Sequence, residues 1–441
     1  MLTLADLLKA LTGQNIEGAS LIISEASIDS RQVIPASLFI ALPGERVDGH
    51  DYVENAFTRG AHLALVQKDL SGQFPQIDLS SGEWQSDTKL PRPPFCIRVA
   101  DSLAALQKIA AYWRSRQTLR VIGITGSVGK STTKELVAEV LSQRFHTLRN
   151  TGNLNNEIGL PLSLLQLTSR HQRAVLEMGF FVPGEISFLC DLALPQVGVV
   201  TNIGTVHAER AGSQADIARG KSELVQALPP TPEGTAILNM DDAWIVPMAD
   251  ITHASVFFYG LNPESHLWAD EIVSQGLNGI RFRLHYHGET FATQAPLIGQ
   301  HSIHTILRAV AAGLVEGLPI TEIIYALQHA SGQLRLVATH TSEGALLLDD
   351  TYNANPGSMA AAIETLARMS YRRRVEELGL REDRADVVLP AALVYERLAD
   401  LCYASEIIVP HVGIKEGVLY DLVEGLSERR AHEDRQTRDV V

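Results

Sequence analysis

The chain has 441 residues, 45% hydrophobic and 20% charged, an ordinary globular composition but too long for one compact core, so two to three domains are expected. A net charge of −14 argues against a nucleic-acid footprint while leaving room for a local basic pocket that takes a phosphorylated small molecule. Three cysteines without paired spacing (Cys96, Cys190, Cys402) argue against a disulfide framework or a structural zinc site. The opening residues lack the basic start and apolar run of a signal peptide, and no stretch approaches the roughly 18 apolar residues of a membrane span. The expectation is a cytoplasmic monomer without a membrane span.

A first segment, to about residue 100, alternates short apolar runs (Leu38–Leu42, Leu63–Val66) with turn-rich pieces and reads as a small α/β module. Residues 71–94 are rich in Gly, Pro, Ser and Asp and read as an exposed loop near its end. A helix is predicted from Ser102 to Arg116. Strands follow at Arg120–Thr125, Ala174–Glu177, Val197–Thr201 and Thr235–Leu238, alternating with helical stretches. That alternation predicts a parallel sheet with helices on both faces, which binds ligands outside the carboxyl ends of its strands. A β-rich stretch at 252–297, a helix at His301–Leu314 and a third segment from Pro319 come next, the last with a strand at Ala345–Leu348. After Met369 the character changes to charged sequence, and the tail from Glu428 is too polar to pack.

The strongest signal is Gly123-Ile-Thr-Gly126-Ser127-Val128-Gly129-Lys130-Ser131-Thr132-Thr133, between a β-like run and an amphipathic helix carrying Leu136, Val137, Val140 and Leu141. Glycines here let backbone N–H groups converge on phosphate oxygens, and the helix start adds partial positive charge. Lys130 is placed to reach the terminal phosphates and the Ser131 hydroxyl to hold Mg²⁺. Ile124 stands where the strict Walker pattern wants Gly, so the match is to the shorter T-G-S-x-G-K-S form. The reading is a site for a nucleoside triphosphate.

Three more residues sit at or just beyond strand ends. Glu177 closes an apolar run, where a carboxylate can hold Mg²⁺. His207 follows the Val197–Thr201 strand, and Lys221 lies on a helix. A single histidine is more often a satisfied or surface residue, and a helical lysine is usually solvated. Their order after a phosphate loop weighs against those readings.

Taken together, TGSVGKSTTKE, NTGNLNNEIGLP (150–161), LEMG, TNIGTVHAE (201–209), the Lys221 helix, ILNMDD (237–242) and DDTYNANP (349–356) resemble the Mur ligases of peptidoglycan synthesis. Within that family, DDTYNANPGSM resembles the ligases that join D-Ala-D-Ala to UDP-N-acetylmuramoyl-tripeptide. The segment around Asp29-Ser30-Arg31 and 38–51 resembles their UDP-binding domain. The resemblance covers about 1–368. It implies an α/β, three-domain architecture with a central P-loop parallel sheet: a UDP-substrate domain at 1–100, a P-loop ATPase domain at 101–318 and the start of a C-terminal domain at 319–368. It implies ATP and Mg²⁺ as cofactors, held by the loop 126–132, with Glu177, His207 and Lys221 at the metal site. Lys221 matches a lysine the family carbamylates into a carboxylate-like ligand. Asn155 and Asn156, with Ser30 and Arg31, match substrate-side positions. Asp350 matches a carboxylate on the ATP ribose, with Tyr352, Asn353 and Asn355 on that face.

The chain departs from the family in three places. Ser302 and Thr305 stand where two asparagines usually help hold the nucleotide, and Gln333 where an arginine is usual. Losing a charge-assisted bond of this kind costs on the order of 1.5–3 kcal/mol, so weakened ATP binding is expected. Beyond Arg368 the family's Rossmann-like C-terminal domain is not recognisable and reads as truncated or replaced. Instead, residues 384–392 and 407–420 resemble the exopolyphosphatase/guanosine pentaphosphate phosphatase family, which suggests a phosphatase-like fragment or divergent domain at 369–427 and a disordered tail at 428–441. The function implied is ATP-dependent ligation through an acyl-phosphate. The alternatives are a ligation-incompetent protein that binds ATP and UDP-sugar, and another Mur-like amino-acid ligase.

Overall fold

The computed structural model describes residues 1–330 except 45–46, 86–88, 205–212, 276–278 and 298, with the backbone of strands at 337–340 and 346–349 and the residue at 372. The chain divides into two units, Met1–Ala338 and Thr339–Val441.

The first unit opens on helix α1 (Leu4–Thr12), started by a capping box in which Thr3 and Asp6 exchange hydrogen bonds and ended by Gly13 in the left-handed conformation. Five parallel strands follow in the order β1 (Ala26–Ser27), β2 (Leu38–Ile40), β3 (Leu63–Val66), β5 (Phe95–Arg98), β4 (Gln76–Asp78), with helix α2 (Val53–Thr58) between β2 and β3. Strand β4 corrects the expectation of a plain exposed loop over 71–94. Its three residues pair with β5 because Ile77 is buried, a signal too short to show as alternation in sequence. Helix α3 (Ser102–Ser115), capped by Asp101, then enters the second sheet.

That sheet has nine strands among the described residues, in the order β14-β13-β12-β11-β10-β9-β6-β8-β7. In chain order they are β6 (Arg120–Thr125), β7 (Thr147–Arg149), β8 (Arg173–Glu177), β9 (Val197–Val200), β10 (Thr235–Asn239), β11 (Ser255–Gly260), β12 (Leu267–Ser274), β13 (Ile280–Tyr286) and β14 (Glu289–Ala295). From β7 to β12 the pairing is parallel; β12, β13 and β14 are antiparallel. The helices are α4 (Lys130–Leu141), α5 (Gly159–Leu165), α6 (Glu185–Ala193), α7 (Gln214–Gln226), α8 (Ile303–Val315) and α9 (Ile320–Gln328). Helix α8 begins two residues later than predicted, because Gly299 at φ 86° leads into a short 3-10 turn at Gln300–Ser302.

Successive strand residues point to opposite faces, and the core divides accordingly. Ile122, Ile124, Val175 and Ile237 pack with Leu136, Val137, Val140 and Leu141 of α4 and with α8. Val121, Ala174, Leu176, Ala236 and Leu238 pack on the other face with α3, α5, α6 and α7. Helices on both faces of a parallel sheet are what the sequence predicts. Each fully buried aliphatic side chain in these layers contributes about 1.5–3 kcal/mol. Strands β15 (Val337–His340) and β16 (Leu346–Asp349) form a separate two-stranded sheet. The expected truncated or replaced C-terminal domain, 369–427, and the tail lie outside the described residues.

Candidate active site

The phosphate loop leaves the carboxyl end of β6 and closes at the start of α4, as its glycines predict. Gly126 sits at φ 142° and Gly129, the N-cap of α4, at φ 82°. A Cβ on Gly126 would lie 1.8 Å from Thr201 Oγ1, so only glycine lets the loop pass so close to the end of β9. That neighbouring strand end fixes the loop. Thr201 Oγ1 donates to the Val128 carbonyl at 2.8 Å, and Asn202 clasps Val128 from both sides: its Oδ1 accepts from the amide at 3.0 Å and its Nδ2 donates to the carbonyl at 2.9 Å. Ser127 donates its amide to the Asn202 carbonyl at 2.9 Å. In the sequence Thr201 and Asn202 stand out only as part of a motif; their role as loop clasp needs the pairing of β6 with β9.

Two lysine amines converge on one backbone oxygen. Lys130 Nζ donates to the Gly126 carbonyl at 2.9 Å, and Lys221 Nζ, from α7, donates to the same carbonyl at 2.9 Å. Lys221 is buried, and burial followed by the charge of Lys130 pulls its pKa down to about 7. The Phe180 ring lies 4.8 Å from Lys221 Nζ and packs against Gly220, where an added Cβ would come within 2.0 Å of the ring.

Glu177, at the carboxyl end of β8, is 3% exposed. Its Oε1 accepts from Asn155 Nδ2 at 2.9 Å, so the structure brings the predicted Asn155 to the predicted carboxylate. Its Oε2 is buried and has no partner among the described residues. A buried carboxylate oxygen left open beside a phosphate loop is the donor a divalent cation satisfies, so the residues present fit Mg²⁺. Ser131 and Thr132 stand half-buried in the first turn of α4. Asn156 turns its Oδ1 to the Gly159 amide at 2.9 Å, at the start of α5. Ser30 and Arg31 lie on a 3-10 turn in the N-terminal module, Ser30 buried and Arg31 exposed and paired with Asp29 at 2.8 Å. His207, Asp350, Tyr352, Asn353 and Asn355 fall outside the described residues, as does Gln333.

Residues 124–313 match the Mur ligase middle domain, and residues 22–83 match the Mur ligase family, catalytic domain. The chain is 34% identical over 392 residues to the UDP-N-acetylmuramoyl-tripeptide–D-alanyl-D-alanine ligase of Escherichia coli K12, with 87% of this chain and 82% of that protein covered. The chain belongs to the Mur ligase family. The ligase of that name from Bacillus subtilis 168 is 34% identical over 364 residues, covering 81% of this Mur ligase and 73% of the relative. The crystal structure of MurF from Acinetobacter baumannii superposes with a TM-score of 0.69 at 31% identity, covering 83% of this chain and 76% of that one. MurF from Thermotoga maritima in complex with ADP matches with a TM-score of 0.61 at 25% identity, covering 84% and 82%. Residues 300–426 of this Mur ligase also match the Ppx/GppA phosphatase family, a wider span than the 370–425 resemblance read from sequence. No helix among the described residues is long and apolar enough to cross a membrane.

Proposed function

We propose that this chain joins D-Ala-D-Ala to UDP-N-acetylmuramoyl-tripeptide in an ATP-dependent reaction of peptidoglycan synthesis. The observation that carries the reading is the convergence of Lys130 and Lys221 on the Gly126 carbonyl, in a glycine loop opening a helix at the carboxyl end of a parallel strand. Relatives spanning most of this chain and bearing the name of that ligase support it.

In this reading the loop 126–132 cradles the ATP phosphates with backbone amides, and Lys130 neutralises charge on the phosphoryl group in flight. The tripeptide carboxylate attacks the γ-phosphorus, ADP leaves, and an acyl-phosphate forms. The D-Ala-D-Ala amine then adds to the acyl carbon, and inorganic phosphate departs as the amide bond closes. Mg²⁺ would be held by Ser131, Glu177, His207 and, once carbamylated to a carboxylate-like group, Lys221, and would supply charge stabilisation for phosphoryl transfer. Asn155 holds the Glu177 carboxylate in place through Oε1. Asn155 and Asn156 face the tripeptide, Ser30 and Arg31 the UDP moiety, and Asp350 and Asn353 the ATP ribose. The proposed domains are 1–100 for UDP-substrate binding, 101–318 for ATP, 319–368 as the start of the C-terminal domain and 369–427 as a phosphatase-like fragment or divergent C-terminal domain.

Phosphate release is the test, measured with ATP, Mg²⁺, UDP-N-acetylmuramoyl-tripeptide and D-Ala-D-Ala beside a Lys130→Ala control. Release that needs both co-substrates and disappears in the control supports ligation. Intact ATP binding without release leaves only a nucleotide- and UDP-sugar-binding protein, and the catalytic reading falls.

A further inference from the structure

Arg308 is a buried cation beneath the phosphate loop, and no motif read from the sequence includes it. It lies on α8, the residue is 4% exposed, and its guanidinium reaches only neutral partners among the described residues. Nε donates to Tyr259 Oη at 2.8 Å, and Nη1 donates to Thr133 Oγ1 at 2.8 Å and Thr305 Oγ1 at 3.5 Å. Among the described residues it has no carboxylate within ion-pair distance. The acidic groups of the adjoining strand end are engaged elsewhere: Asp241 accepts from the Leu261 and Asn262 amides and Asp242 from the Ile203 and Trp244 amides. Isolating a guanidinium from water without an anion is unfavourable, so a counter-charge belongs nearby.

The geometry points toward the loop. A Cβ built on Gly129, the N-cap of α4, would sit 3.3 Å from Arg308 Nη1. Thr133, which takes the Nη1 bond, is in the first turn of the same helix. Tyr259, which takes the Nε bond, donates its own hydroxyl to the Thr201 carbonyl at 3.4 Å, and Thr201 clasps the loop. We propose that Arg308 is a phosphate-recognition residue of this chain: it supplies the nucleoside triphosphate with a second cation beside Lys130, from under the loop. The proposal rests on the nucleotide reading above and adds to it a residue outside the phosphate-loop motif.

Calorimetric binding of ATP, inorganic tripolyphosphate and adenosine to the unsubstituted protein, Arg308→Met and Arg308→Lys tests it. Methionine keeps the length and apolar stem while removing the charge. The expected result is at least a tenfold loss of affinity for ATP and tripolyphosphate in Arg308→Met, unchanged adenosine binding, and partial recovery in Arg308→Lys. Equal ATP and tripolyphosphate affinities in Arg308→Met and the unsubstituted protein would overturn the proposal, as would a uniform loss for all three ligands, which marks a structural role. Failure of the unsubstituted protein to bind ATP or tripolyphosphate would overturn the nucleotide reading as well.

Discussion

At Gly126 the backbone occupies a conformation that L side chains avoid, with Thr201 Oγ1 in the space a methyl group would need. Gly126→Ala combines strain with overpacking and is expected to destabilise the protein by on the order of 2–4 kcal/mol, read as a lower midpoint in urea. Glu177→Gln keeps a carbonyl oxygen for Asn155 but removes the charge that faces the open side of the site. Its melting temperature should stay close to that of the unsubstituted protein, while the Mg²⁺-dependent gain in ATP affinity, measured with and without the metal, disappears. Residue by residue, the loop and its lysine were legible because a phosphate cradle needs glycine and lysine at fixed local spacing. Glu177 and Lys221 were legible only through their order along the chain. Arg308 was not, because its partner Thr133 is in another helix far away in sequence and nothing local distinguishes an arginine in an apolar helix. Ser302, Thr305 and Gln333 show in the sequence as lost donors, whereas the charge beneath the loop shows only in the fold.

Between elements, the contact of α7 with the turn after β8 is tight enough to reverse the usual effect of a helical glycine. Alanine normally favours a helix interior over glycine by about 1 kcal/mol, yet at Gly220 its methyl would meet the Phe180 ring. Gly220→Ala should therefore destabilise the unsubstituted protein and stabilise a Phe180→Ala background, so a double-mutant cycle with the same sign in both backgrounds would refute the packing account. Helix α6 ends on a left-handed Leu194, and Arg114 of α3 covers its last carbonyls, donating to Ala193 O at 2.7 Å and Leu194 O at 3.3 Å. Arg114→Met should cost roughly 1.5–3 kcal/mol in chemical denaturation. In the N-terminal module, Asp48 caps the turn at Gly49–Tyr52 and binds Lys68 and His50, which hold its carboxyl well below the usual carboxylate range. A carboxyl with a lowered native pKa stabilises fully above its unfolded value, near 3.9, and loses that contribution as pH falls through the native value. The stability gap between the unsubstituted protein and Asp48→Asn should therefore hold from pH 7 to about 5 and narrow in more acid solution. A gap that widens on acidification would reject this assignment.

Across the whole first unit, the central strands were placed by sequence to within a residue or so, since each is an apolar run bounded by turns. Their spatial order was not, because parallel neighbours are set by crossovers rather than by local pattern: β6 lies between β9 and β8. Far from the phosphate loop, Glu316 follows α8 with a fully buried carboxylate between Arg120 at the start of β6 and Arg173 at the start of β8. Removing its charge with Glu316→Gln should destabilise the unit by roughly 2–4 kcal/mol, a figure lowered by the exposure of Arg120, while ATP affinity stays unchanged. The antiparallel end of the sheet carries a consequence for the order of assembly. The β13–β14 hairpin, turning through His287 and Gly288, pairs Tyr286 with Glu289 and zips outward from there, so it needs only its own residues. Strand β6 must wait for β8, residue 120 meeting residue 173, and for β9, residue 122 meeting residue 197. Such distant pairings are slow to find, so the strand that launches the phosphate loop gains its neighbours late, and the loop's clasp at Thr201 and Asn202 closes only when that search ends.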